Sequence, residues 1–75
     1  MDPYEMLRNA IVLKAVKDWR LAVHKLEKQP ESIYSQSVRD NCERFFLSDW
    51  FEKLTGMDGS VILRKLKKEA GIYDE

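Results

Sequence analysis

The sequence predicts an all-α fold, a small helical bundle of three main helices and one short helix. Apolar residues recur in several stretches at intervals of four and three residues, the period of one helix face. Gly and Pro stand at the ends of these stretches, and no stretch alternates apolar and polar residues as a strand would. Seventy-five residues suffice for one core, so we predict a single domain over residues 1–75 with a frayed tail at 72–75.

The first predicted helix runs from Tyr4 to Lys28, with Asp2 as N-cap and Pro3 as first helical residue. Its core-facing stripe consists of Val12, Val16, Trp19, Val23 and Leu26. The first half of the helix carries further apolar residues on several faces: Met6, Leu7, Ala10, Ile11 and Leu13. One neighbouring helix cannot cover all of these faces, so either two helices or a partner chain must flank this half.

The second predicted helix follows the break at Gln29 and Pro30, because proline disfavours helix before it and cannot donate a backbone hydrogen bond. The helical pattern resumes near Ser32 or Ser35 and ends near Leu47. Its inward positions are Val38, Cys42 and Phe45. These positions follow the spacing of one helix face.

The last two helices are separated by a glycine-containing turn. Ser48 is expected to cap a short helix from Asp49 to Leu54, which Gly56 ends in the left-handed conformation. The sequence Asp58-Gly59-Ser60 then supplies a turn and a cap for a final helix over residues 60–70, with Gly71 as its stop. Its inward stripe is Ile62, Leu66 and Ala70, with Leu63 at the edge.

The run from Cys42 to Ala70, CERFFLSDWFEKLTGMDGSVILRKLKKEA, resembles small proteins encoded by phages and prophages of Gram-positive bacteria. Such proteins often carry F-F-x-S-x-W-F, then L-T, then D-G, then an I-L-x-K-L helix. The resemblance covers roughly the C-terminal half of the chain and is weaker in the first helix. It implies a phage or prophage origin, and short accessory proteins of that origin commonly act by docking to a larger host or phage protein. It transfers no functional residue.

Charge and composition exclude several classes of protein. The 13 basic and 13 acidic side chains balance, which argues against coating nucleic acid by bulk electrostatics and against an acidic mimic of DNA. The single Cys42 cannot form an intrachain disulfide, and the first residues lack the pattern of a signal peptide. No apolar run approaches the roughly 20 residues of a membrane span. We therefore expect a protein of the bacterial cytoplasm that does not act at a membrane.

An aromatic cluster is the densest feature of the chain: Phe45, Phe46, Trp50 and Phe51. Most of these rings should be core, but adjacent helical residues point about 100° apart, so one or two should reach the surface. The residues expected to contact a protein partner or a second copy of the chain are Met6, Leu7, Ile11, Leu13, Phe46 and Trp50. An exposed aromatic ring would be a natural anchor for a protein partner.

The final helix carries a basic arc formed by Arg64, Lys65, Lys67 and Lys68. This arc could bind phosphate or an acidic partner, or it could be a solvated face whose cations favour the helix C-terminus. A helix-turn-helix template fits the segment from Asp49 poorly, because the reader helix would offer mainly lysines, which suit phosphate rather than base edges.

Catalysis has little support in the sequence. His24 is the single histidine and lies on a polar arc, while the cap role explains Ser48 and Asp49 without a hydrolytic set. We find neither metal-ligand spacing nor a cofactor motif, and predict a non-enzymatic protein without cofactor. The favoured function is binding and modulating a host or phage protein. The alternative is a small DNA-binding or transcription-regulating protein that uses the basic helix.

Overall fold

The computed structural model describes the backbone of residues 3–71 and the side chains of residues 9–71, and the fold is all-α. Its helices are α1 (Pro3–Lys28), α2 (Ile33–Phe46), α3 (Asp49–Thr55) and α4 (Gly59–Glu69). This arrangement confirms the predicted bundle of three longer helices and one short one. The predicted cap at Asp2 and the frayed tail at residues 72–75 lie outside the described residues.

The helix boundaries coincide with local capping hydrogen bonds; the sequence predicts those at Ser48 and in the segment Asp58-Gly59-Ser60, but not the one at Ser32. The Ser48 hydroxyl accepts from the Phe51 backbone N–H at 3.1 Å, and the Ser32 hydroxyl accepts from Ser35 at 3.3 Å. The Asp58 carboxylate accepts from the Ser60 backbone N–H at 3.0 Å, so Asp58 caps α4. Each cap satisfies a backbone donor that lacks a partner within the first turn of its helix.

One apolar cluster joins all four helices. Its buried members are Ala15, Trp19, Val23, Phe46, Phe51, Leu63 and Leu66. Trp19, Phe46 and Phe51 are the largest side chains that are almost completely buried. The Phe51 ring meets the rings of Phe45 and Phe46 edge-on, with centroids 5.2 and 5.3 Å apart. The aromatic residues therefore supply much of the buried apolar surface, as expected of a domain this small.

The prediction that Phe46 contacts a partner is wrong, because its side chain is only 1% exposed. Phe46 ends α2, so its ring turns into the space that α1, α3 and α4 enclose. Of the two adjacent aromatic pairs, Phe46 and Phe51 are buried, Phe45 is half-buried and Trp50 is exposed. The expectation that some rings reach the surface is thus confirmed, but for Trp50 rather than Phe46.

The inward face of α4 is also rotated from its predicted position. Leu63 and Leu66 are buried, whereas Ile62 and Ala70 are only partly buried against the cluster. Leu63 is therefore a core residue and not an edge residue. Helical spacing alone defined a stripe, but the position of the neighbouring helices decided which side of that stripe faces inward.

Gly59 allows α4 to approach the end of α2. A Cβ atom at this position would overlap the backbone carbonyl of Phe46, and Gly59 is buried. The sequence predicted a turn at this glycine but did not predict the close approach. Gly56 has a different role, because its φ of 70° lies in the left-handed region that favours glycine and a Cβ there would meet no neighbour.

A half-buried polar group links three helices beside the core. The Trp19 indole N–H donates to a Glu43 carboxylate oxygen at 3.1 Å, and the Lys67 ammonium lies 3.8 Å from the other oxygen. The Trp19 ring can therefore be buried without leaving its N–H unsatisfied. The carboxylate connects α1, α2 and α4 at one place.

Candidate protein-binding surface

The outward side of α1 carries an apolar groove with a basic border. Five side chains line it: Leu13, Val16, Lys17, Arg20 and Leu21. Leu13 is 67% exposed and Leu21 is 50% exposed, while Val16 is half-buried at the edge of the core. We call these five residues the α1 outer face. It is a shallow, open surface and not an enclosed cavity.

The helical period explains why this face is left uncovered. Leu13, Lys17 and Leu21 are four residues apart, so they lie along one side of α1. Leu21 is two residues from the buried Trp19, about 160° around the helix. The other three helices pack on the Trp19 side, where Ala15, Ala22 and Val23 are also buried. The outer face consequently remains open in the single chain.

Positive charge borders the apolar groove. The Arg20 guanidinium lies 2.8 Å from a Glu69 carboxylate oxygen, which joins α1 to α4. Lys17, at the centre of the face, makes no ion pair or hydrogen bond with any residue that the structure describes. Over residues 9–28 the chain has five basic side chains against two acidic ones, an excess of three. The outer face itself has two basic side chains, Lys17 and Arg20, and no acidic one; because Glu69 pairs with Arg20, its excess positive charge is that of Lys17.

The other N-terminal candidates differ in their accessibility. Ile11 is half-buried, and the side chains of Met6 and Leu7 lie outside the described residues. Leu13 is exposed, as a contact residue should be, and its role stays a prediction. Leu21 is an exposed residue of this face that was not predicted, although its position eight residues after Leu13 could have indicated it.

A second exposed apolar site lies at the corner between α2 and α3. Trp50 is 64% exposed and Leu47 is 60% exposed. Asp49 and Glu52, in the first turn of α3, give this corner acidic neighbours. Trp50 is the large exposed ring among the interface candidates, and aromatic side chains of this kind are enriched at binding hot spots.

The basic arc on α4 is smaller than predicted. Arg64, Lys65 and Lys68 are exposed, but Lys67 is half-buried beside Glu43 and does not share the outward arc. Lys67 lies one residue after the buried Leu66, and the packing of α4 against α2 turns this side towards Glu43. Three cations therefore remain on the outward side of the helix.

His24 and Cys42 are two side chains of types that often take part in catalysis. His24 is exposed, and its Nδ1 lies 3.8 Å from a Glu27 oxygen. Burial raises the pKa of the half-buried Cys42 thiol, and the nearby Asp18 carboxylate raises it further, which opposes formation of a reactive thiolate. Within residues 9–71, no three His, Cys, Asp or Glu side chains gather in a way that could hold a metal ion.

None of the described helices combines the length and apolar character that crossing a bilayer requires. No protein-family model, curated protein or solved structure matches the chain.

Proposed function

We propose that this chain is a small accessory protein of phage or prophage origin that binds and modulates a host or phage protein, without catalysis of its own. We place its action in the cytoplasm of the bacterial host. The α1 outer face is the surface that carries this proposal. Leu13 and Leu21 line one groove and stay exposed although the core beneath them is complete.

The energetic argument is that an apolar surface of this kind gains free energy when a partner covers it. Burying a fully exposed leucine side chain is worth about 1.5 to 3 kcal/mol, and Leu13 and Leu21 can gain roughly half to two-thirds of that, because the rest of each side chain is already covered. Scattered exposed leucines are common, but two that share a groove with half-buried Val16 form a contiguous patch. The charged border keeps the patch compatible with water when no partner is bound, and it restricts which partners fit.

Site-specific photo-crosslinking in Gram-positive cells that express the chain tests this proposal. A photoreactive residue at Leu13 or at Leu21 should each give an adduct with the same host protein. The control position is Ile33, which is 79% exposed and does not line the groove. Absence of any adduct at Leu13 and Leu21, or the same adduct at all three positions, would refute docking through this face.

A nucleic-acid function is the second candidate, supported by the exposure of Arg64, Lys65 and Lys68 on one helix. It is weaker because the fourth cation of the arc, Lys67, lies against Glu43, and Glu69 adds a negative charge at the end of α4. A titration with duplex DNA at low ionic strength decides: phosphate-driven binding should appear there and weaken steeply as salt is added. Absence of binding at low salt removes this candidate.

A further inference from the structure

We infer that the α1 outer face takes an acidic amphipathic helix of the partner protein, an inference that rests on the proposed function. The apolar residues of the face supply contact area, and its lysine and arginine select the charge of the partner. The shape and the charge of the α1 outer face both suit such a helix, and they suit a second copy of the chain or a lipid surface less well.

The shape of the groove suits a helix. Leu13 and Leu21 are separated by about 12 Å along α1, roughly two helical turns. A partner helix with apolar residues at intervals of three, four and seven positions presents a stripe of the same length. Val16 lies between the two leucines and is half-buried, so it forms the floor of the groove and not a barrier.

The charge of the face selects acidic partners. Lys17 stands at the centre, four residues from each leucine, and has no counter-charge among the described residues. Lys14 is paired with Asp18 at 3.2 Å and Arg20 with Glu69 at 2.8 Å, whereas Lys17 forms no ion pair with any residue whose side chain the structure describes. Glutamate or aspartate beside the partner's apolar stripe would meet Lys17, and complementary charge of this kind sets specificity and association rate.

A second copy of the chain fits the same face poorly. An antiparallel pair centred on Lys17 would set Leu13 of one copy against Leu21 of the other, which suits the apolar residues. It would also set the Lys17 of one copy against the Lys17 of the other, and a like-charge contact of this kind opposes association. A parallel pair in register places the two Lys17 side chains together as well. The charges therefore favour an acidic partner over self-association.

A lipid surface is also a poor occupant. Helices that lie in a membrane interface insert a broad apolar face, whereas the broad apolar face of α1 is buried in the core. What remains outward is a shallow groove with two substantially exposed leucines. Two leucines along one side of a helix can pair with the apolar stripe of a single partner helix, but they offer a bilayer little apolar surface to insert.

The experiment uses two labelled synthetic peptides of about 18 residues, long enough to form helix, with identical leucine spacing. One carries glutamate beside the leucine stripe, and the other carries glutamine. Fluorescence anisotropy with the full chain at low ionic strength should show about tenfold tighter binding of the glutamate peptide. Added salt should narrow this difference.

Variants of the chain connect the preference to the groove. Leu13→Asp should weaken binding of the glutamate peptide about tenfold, and Lys17→Glu should abolish the preference for glutamate over glutamine. Ile33→Asp is the matched control for Leu13→Asp and should bind as the wild type does. Both altered groove positions are exposed, so the variants should keep the wild-type circular dichroism spectrum and melting temperature.

Several outcomes would overturn the inference. Three results would each reject an acidic helix as the occupant. They are equal affinity for the two peptides, no binding of either peptide at millimolar concentration, and an unchanged preference for the glutamate peptide in Lys17→Glu. A dimer of the chain alone that Leu13→Asp dissociates would assign the face to a second copy. Binding to phosphatidylglycerol vesicles that Leu13→Asp abolishes would assign it to lipid. Crosslinking to a host protein at Leu13 without peptide preference would leave the proposed function standing and reject only the partner chemistry.

Discussion

Gly59→Ala is the substitution whose effect on folding the structure specifies most directly. Two opposing terms set its size. Alanine is favoured over glycine in a helix by up to about 1 kcal/mol. Against this gain, the added methyl group would overlap the Phe46 carbonyl, and an overpacked core typically costs about 1 to 3 kcal/mol or more. Because the clash is with a backbone atom, no change of side-chain rotamer can relieve it. The cost of overpacking should therefore lie at or above the upper end of this range.

We therefore expect Gly59→Ala to lose about 2 kcal/mol of the free energy of unfolding. For a domain of this size, a loss of 1 kcal/mol corresponds to roughly 4 to 8 °C in melting temperature, so the midpoint should fall by roughly 8 to 16 °C. Domains this small rarely exceed about 3 to 5 kcal/mol of total stability. Urea and thermal denaturation followed by far-ultraviolet circular dichroism would measure both quantities.

Gly56 provides the control, because its restriction is conformational and a side chain there has open space. Asparagine tolerates the left-handed region better than alanine does, so Gly56→Asn should be more stable than Gly56→Ala. At Gly59 the restriction is volume, so Gly59→Asn should be at least as destabilised as Gly59→Ala. A Gly59→Ala protein as stable as the wild type would refute the close approach of α4 to α2.

Three other expectations concern the core, a cap and the cysteine. Trp19→Ala removes the central ring of the bundle and should lower the free energy of unfolding by about 3 to 5 kcal/mol, enough to unfold much of the protein. A Trp19→Ala protein with the melting temperature of the wild type would contradict the burial of this ring. Hydrogen bonds from Ser60 lower the pKa of Asp58, so its capping contribution should be complete above about pH 4 and disappear as the pH falls through the lowered pKa. The free energies of unfolding of the wild type and Asp58→Asn, measured by urea titration, should become equal only below the lowered pKa of Asp58. A difference between them that does not change with pH would exclude a contribution from the charge of Asp58. The raised pKa of Cys42 predicts slower alkylation by iodoacetamide near about pH 8.5 in the native chain than in urea, and equal rates would contradict it.

The helices and their ends could be predicted from local sequence because their causes are local. Ser48, Asp58 and Gly56 act on backbone groups within a few residues, and a cap or a left-handed residue does so whatever the rest of the chain does. The stripe through Trp19 and Val23 was predictable for the same reason, since helical spacing determines which residues share a side. The non-catalytic binding role follows from no local rule and stays a proposal.

The accessibility of the candidate contact residues could not be predicted in this way. Phe46 and Trp50 are both large aromatic residues in the same short run, yet one is buried and the other exposed. Whether each ring is buried depends on where α1 and α4 lie, and a local sequence pattern contains no information about the positions of these helices. The same holds for Leu21, which lies at the edge of the contact between α1 and α2 and keeps half of its surface exposed.

The sequence by itself determined the all-helical class, the number of helices, the cap at Ser48, the glycine that ends α3 and the neutral total charge. The tertiary structure decided which member of each aromatic pair is buried, that Lys67 lies beside Glu43, and that Leu13 and Leu21 border one groove around Lys17. The physical reason is the range of the interactions involved. Backbone capping and helical period act over one or two turns, whereas burial and charge pairing depend on contacts between residues far apart in the chain.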